Sequence, residues 1–177
     1  MYKNLRIGLA ALAIVAICGC GGKSSTTAPS GGNNNNPSDI ILTGSVAGEY
    51  TTAVFVGAWD HTNNVGGVAA QVTGSTTINI DLGFTGDLTT ATYKSTDAGA
   101  AGAISVVNTA TNLTWTATAS TANQAQGSYT MTINSTGTPV TQNGDKAYTG
   151  LHGVINATLP ALPSSGASGT VTLQATF

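Results

Sequence analysis

The chain reads as all-β: a two-sheet antiparallel β-sandwich of about ten short strands, placed after a targeting segment and a flexible tether. Two observations predict this. Apolar and polar residues alternate with period two between turn signals along residues 39–177, the mark of half-buried strands. Charged residues make up only 7% of the chain, and no tract rich in Glu, Lys, Leu and Arg offers a helix.

Taken in order, the expected strands begin with Ile40–Val46, Ala53–Trp59 and Val68–Thr73. Ile78, Ile80 and Leu82 then alternate with Thr77, Asn79 and Asp81. Gly86–Tyr93 and Ala103–Thr109 come next, and after them Leu113, Trp115 and Ala117 alternate with three threonines. Tyr129, Met131 and Ile133 alternate with Ser128, Thr130 and Thr132. Tyr148–Leu159 is expected as one strand, and Val171, Leu173, Ala175 and Phe177 form the inward side of the last. Gly74-Ser75 suits a type II′ hairpin and Asn143-Gly144 a second tight turn. Pro139 keeps its neighbourhood out of a central strand. Threonine on outward positions suits strand propensity and leaves an uncharged, hydroxyl-rich surface. Trp115 and Tyr129 fall in step with small apolar neighbours and are expected in the core.

Ahead of this domain, Met1–Gly8 carries Lys3 and Arg6 without an acidic residue, and Leu9–Ile17 is almost purely Leu, Ala, Ile and Val. A positive segment followed by a short apolar one is a secretory signal peptide. The apolar run is about half the ~20 residues that a spanning helix needs. Ile17-Cys18-Gly19-Cys20 follows at once. These four residues resemble the lipobox of bacterial lipoproteins, in which a small residue precedes the modified cysteine. Gly19 meets that requirement for Cys20, whereas bulky Ile17 fails it for Cys18. The resemblance implies that Cys20 becomes the mature N-terminus with a diacylglyceryl thioether and an N-acyl chain, and that Cys18 leaves with residues 1–19. Two or three acyl chains anchor stably where one would not. Gly21, where an Asp would hold the protein back, implies outer-membrane sorting in Gram-negative cells. A disulfide between Cys18 and Cys20 would be strained by the single residue between them. After cleavage no cysteine pair remains for a disulfide, cluster or nucleophile.

Residues 21–38 are Gly, Ser, Thr, Asn and Pro with one Ala and one charge, Lys23. Such a segment cannot bury enough apolar surface to fold and spans about 25 Å as a flexible tether. The expected organisation is therefore 1–19 signal peptide, 20–38 lipidated cysteine and tether, and 39–177 sandwich.

Three late stretches, Gly127-Ser128-Tyr129-Thr130-Met131-Thr132-Ile133, Leu151–Leu159 and Gly169–Phe177, share an order of Gly-led alternating strands closing on Phe. They resemble the C-terminal part of small uncharacterised β-sandwich lipoproteins of the Gram-negative envelope. The resemblance implies a fold and a location, and no activity.

Chemistry is sparse. The two histidines, His61 and His152, are far apart in the chain. Trp59, Asp60 and His61 enter a polar loop and are the candidate ligand-binding residues, for a metal or a sugar, with a plain turn between strands as the simpler reading. A calcium loop would need Gly where Val65 stands and a closing Glu. His152 falls on the face opposite Leu151, Ile155, Ala157 and Leu159, as a surface residue. Glu49, Asp81, Asp87, Asp97 and Asp145 show no spacing for paired acid–base work, and Asp97 and Asp145 suit turn caps. No nucleophile elbow, phosphate loop or zinc motif occurs, so no cofactor, metal or catalysis is expected. With Lys23, Lys94 and Lys146 as the cations left after cleavage, nucleic acid is a poor partner. The expected role is an outer-membrane-anchored lipoprotein presenting a noncatalytic sandwich, with the membrane as one partner and a carbohydrate or envelope protein as another. The alternatives are an integral outer-membrane β-barrel, suggested by the alternating terminal strand ending in Phe177, and a self-assembling surface subunit. An enzyme would require His61 and His152 to meet.

Overall fold

The computed structural model describes residues 38–119 and 127–177. The signal peptide, Cys18, Cys20 and the tether up to Pro37 lie outside the described residues. Twelve strands are present among the described residues. They are β1 (Ser38–Gly44), β2 (Gly48–Asp60), β3 (Val65–Val72), β4 (Thr76–Thr85), β5 (Thr92–Lys94) and β6 (Ala101–Asn108). Then follow β7 (Leu113–Thr118), β8 (Ser128–Ser135), β9 (Thr138–Gln142), β10 (Asp145–Thr149), β11 (His152–Pro160) and β12 (Thr170–Thr176).

The strands form two antiparallel sheets of six and seven strands packed face to face, a β-sandwich. One sheet runs β5-β8-β11-β12-β1-β2 and the other β9-β10-β2-β3-β4-β6-β7. Strand β2 belongs to both: Gly48–Ala53 pairs with β1, and Val54–Asp60 with β3. Its pairing with β1 shifts register between Ile40 and Ser38, an irregularity of the kind that lets a strand bend from one sheet to the next. The sheets do not close into a barrel, so the integral-barrel expectation is corrected. The alternating strand ending at Phe177 turns Val171, Leu173 and Ala175 into the core between the sheets, where all three are fully buried.

That core is filled from both faces. Ile40, Leu42, Met131, Ile155 and Leu159 meet Ile78, Ile80, Leu82, Ile104 and Val106. Trp115 and Tyr129 are buried as expected, and each polar tip finds a carbonyl: Trp115 Nε1 donates to Ser168 O at 3.1 Å, and Tyr129 Oη to Ala101 O at 3.2 Å. Burial first, then the charge of Asp97, pushes the Tyr129 phenol up to about 12.

Three local expectations fail for identifiable reasons. Gly86–Tyr93 is mostly a crossing loop, because Gly86 takes φ +97° and Leu88 turns down into the core, leaving only Thr92–Lys94 as a strand. Tyr148–Leu159 is two strands in different sheets, divided at Gly150 with φ +84°. Gly74 has no positive φ, so Gly74-Ser75 makes no type II′ turn. The last β3–β4 pair is Val72↔Ile78, and Thr76 and Thr77 pair with β6 instead. Thr109 Oγ1 holds this longer loop by donating to Gly74 O and Ser75 O.

The sheet edges are closed by different means. Leu162 N donates to Thr114 O at 2.8 Å and Thr114 N to Ser165 Oγ at 3.1 Å, which covers β7. Strand β5 has three residues. Strand β9 carries Pro139 at a position whose amide would point away from β10, so the outward edge lacks one donor. Pro139 is thus on an edge strand, as expected.

Candidate functional site

Several charged and aromatic side chains, Trp59, Asp60, His61, Asp87, Asp145, Lys146 and Tyr148, converge where β10 meets the far end of β2. Two turns build it. Asp60 Oδ1 accepts from the amides of Thr62 (2.8 Å) and Asn63 (3.0 Å), and Asn64 closes the β2–β3 turn at φ +52°. Asn108 and Asn112 repeat the device between β6 and β7. The β9–β10 turn is Asn143-Gly144, with φ +54° and +93°, the left-handed pair of a type I′ hairpin. It packs on the first turn: Asp145 Oδ1 accepts from His61 N at 2.9 Å, and a Cβ on Gly144 would stand 3.1 Å from His61 Cγ.

From that turn β10 runs antiparallel to β2, placing Lys146 opposite Trp59 and Tyr148 opposite Gly57. All four lie on the side of the sheet that faces the core. Gly57 makes room here, since a Cβ would lie 2.9 Å from Leu151 Cδ2, 3.3 Å from Tyr148 Cβ and 3.4 Å from Leu88 Cδ1. The crossing loop brings the last member, Asp87. Gly86 N donates to Asn64 O at 2.8 Å, and Leu88, buried to 3% exposure, pins the loop from the other side.

Asp87 is gripped by both oxygens. Lys146 Nζ forms an ion pair with Oδ2 and Tyr148 Oη donates to Oδ1. Burial would push the Asp87 carboxyl up, but the hydrogen bonds from Lys146 and Tyr148 and the lysine charge outweigh it and hold the group low. Burial and then the Asp87 carboxylate push the Tyr148 phenol well up, so it stays a neutral donor. Lys146 Nζ also sits 5.0 Å from the Trp59 ring centroid, within cation–π range.

Of the three candidate ligand residues, Trp59 and His61 do come together, their rings 5.8 Å apart and edge-on. Trp59 is no open stacking platform: Lys146 lies over the ring, and Nε1 donates to Asn64 Oδ1 at 3.4 Å. Asp60 is consumed by its own turn, with Asn63 Nδ2 on Oδ2 at 2.6 Å. Those bonds, the Asn63 amide first, lower its carboxyl and outweigh the opposing desolvation. His152 is exposed at the start of β11, opposite Ser135, in the other sheet from His61. Among the described residues no group of three or more His, Cys, Asp or Glu could hold a metal. Asp97 and Asp145 cap backbone amides as expected, Asp97 Oδ2 taking Lys94 N at 2.7 Å.

Sequence reasoning missed Asp87, Lys146 and Tyr148. The readable signal was Lys146-x-Tyr148 just after Asn143-Gly144, which puts both on one strand face in a chain nearly devoid of charge. Their partner, 59 residues away, had no local mark. Elsewhere, the outer face of the six-stranded sheet carries a shallow, uncharged depression of about 220 Å³ lined by Ser128, Thr130, Asn156, Thr158 and Thr172.

No protein-family model, curated protein or solved structure matches this chain.

Proposed function

We propose that this protein is a lipoprotein anchored in the outer membrane through Cys20, presenting a noncatalytic β-sandwich for binding or for envelope and surface structure. The observation that carries this reading is the run Ile17-Cys18-Gly19-Cys20 behind an apolar segment, followed by a Gly-, Ser- and Asn-rich tether that ends where β1 begins. The character of the sandwich supports the noncatalytic part. Its strongest polar cluster, Asp87 with Lys146 and Tyr148, is engaged among its own members, which gives no free base poised to act on an external substrate. Its outward strand positions offer hydroxyls and amides, which suit a neutral carbohydrate or another envelope protein and not a polyanion.

Metabolic labelling with a palmitate analogue, followed by membrane fractionation, tests the anchor. The wild-type chain should carry label and sediment with outer membranes, and Cys18→Ala should behave the same. Cys20→Ala should lose the label and accumulate as uncleaved precursor. Normal labelling of the Cys20→Ala chain would overturn the assignment.

A further inference from the structure

We propose that Lys146 and Asp87 condense to an amide, a side-chain cross-link between β10 and the crossing loop. Three features of the geometry point to it. The pair is the one ion pair among the described residues, and each partner is fixed by surroundings that do not depend on the other. Lys146 is set by the β10–β2 register opposite Trp59; Asp87 is set by Gly86 N on Asn64 O and by Leu88 in the core. Nucleophile and carboxyl are thus held together before any reaction, which replaces the entropy cost of bringing them together. Second, Tyr148 Oη lies on Oδ1 while Lys146 Nζ lies on Oδ2. One oxygen therefore has a hydrogen-bond donor in place for developing negative charge, and the other is the one beside the amine. Third, the site is partly dry. Tyr148 is 6% exposed, the two charged side chains keep 30% each, and the Trp59 ring backs the lysine.

The step balances without a co-reactant. An ammonium proton passes from Nζ to Oδ2, giving a neutral amine and a carboxylic acid. Nζ attacks Cγ, the charge gathers on Oδ1 against Tyr148, and the Cγ–Oδ2 bond breaks. Oδ2 leaves as water with two of the three ammonium hydrogens, and the third stays on the amide nitrogen. No oxidation or reduction occurs. Because the resting pair is charged, the bond forms through a minor neutral state and accumulates slowly after folding. The domain itself contains no cysteine, so this link would be its only covalent tie beyond the backbone. It requires no lipid anchor, and the Cys20→Ala chain should form it equally.

Trypsin reads the outcome on the full-length chain, extracted in detergent, aged and then denatured. Lys94 should be cut and Lys146 should not, because its amine is acylated. The fragment ending at Lys94 should stay attached to the one carrying Lys146, and the joined species should be lighter by one water than the sum of the two. Tandem mass spectrometry should place the branch at Asp87 and Lys146. Lys146→Arg should restore cleavage there and abolish the mass loss, and Tyr148→Phe should slow accumulation several-fold. Cleavage after Lys146 in the aged wild-type chain, with residues 24–94, 95–146 and 147–177 recovered as three separate linear fragments of full mass, would overturn the proposal. A water loss that maps elsewhere would do the same.

Discussion

Trp115→Ala is the perturbation that tests the core most directly. The ring is 3% exposed, stands on the inner face of β7 between Leu113 and Ala117, and is bridged across to Ala161. Truncating a buried aromatic to Ala costs about 3–5 kcal/mol, from lost transfer energy and the cavity left behind. The indole hydrogen bond to Ser168 O adds less, because Ser168 is exposed and its carbonyl can turn to water. Against a typical domain stability of ~5–15 kcal/mol, the variant keeps between about four fifths and almost none of its margin. For a domain of this size the melting point should fall by about 10–20 °C.

Urea titration followed by far-ultraviolet circular dichroism measures the loss. The variant also leaves Trp59 as its only tryptophan, so fluorescence then reports from the β10–β2 end alone. Trp115→Phe separates the two contributions: it keeps a ring and loses the donor, and should cost about 1–2 kcal/mol. A loss below about 1 kcal/mol for Trp115→Ala would refute the placement of the ring in the core. It would mean that this part of β7 faces water.

Other expected outcomes are more local. Gly153→Ala should destabilise by about 1–3 kcal/mol in a thermal melt, because its Cβ would lie 2.3 Å from Thr132 O and 2.6 Å from Phe177 Cζ. Asp60 has a lowered pKa when folded, so its contribution is present above the ordinary carboxylate value and is lost as pH falls through the folded one. Asp60→Asn, which keeps an acceptor for the turn amides but removes the charge, should therefore lower the neutral plateau slightly and flatten the acid limb of stability below about pH 4. Gly144→Val should open the β9–β10 turn, where φ is +93° and His61 stands close, and should appear as faster amide exchange in β9 and β10 while β4 and β6 are unchanged.

How far the sequence carries depends on what each residue answers to. Ile78, Ile80 and Leu82, or Val171, Leu173 and Ala175, alternate because one side of each strand faces the core, and period two states that directly. Those strands were legible nearly to the residue. Asn143-Gly144 was legible because a type I′ turn demands left-handed φ at both positions. Gly74-Ser75 has the same look but answers to a neighbour, Thr109, which local patterning does not encode. The apolar and β-prone run Gly86–Tyr93 failed similarly. Leu88 and Tyr93 are inward-facing, but Gly57 and Gly66, far back in the chain, create the gap that lets the loop cross: a Cβ at Gly66 would sit 2.6 Å from Gly86 O. Trp59 and His61 were singled out as neighbours in a loop and do meet, yet Lys146 and Asp87, which decide what that loop can do, arrive through long-range register.

The distribution of charge gives the site its meaning. Of the seven acidic residues, Asp60, Asp97 and Asp145 are spent on backbone amides in turns, and Asp87 on Lys146 and Tyr148. Lys146, in turn, is one of two cations in the sandwich, with Lys94. A chain with so few charges commits most of them to holding loops in place, so electrostatic steering of a partner is weak by construction. Apart from exposed Ile41, Val54, Val65 and Val140, much of what remains outward is threonine, serine, asparagine and glutamine in cross-strand rows, such as Thr130 beside Asn156 beside Gln174. Thr92 and Thr132 already bond across one such pair, Oγ1 to Oγ1 at 3.1 Å. Rows of this kind present many weak, neutral hydrogen-bonding groups and no concentrated charge.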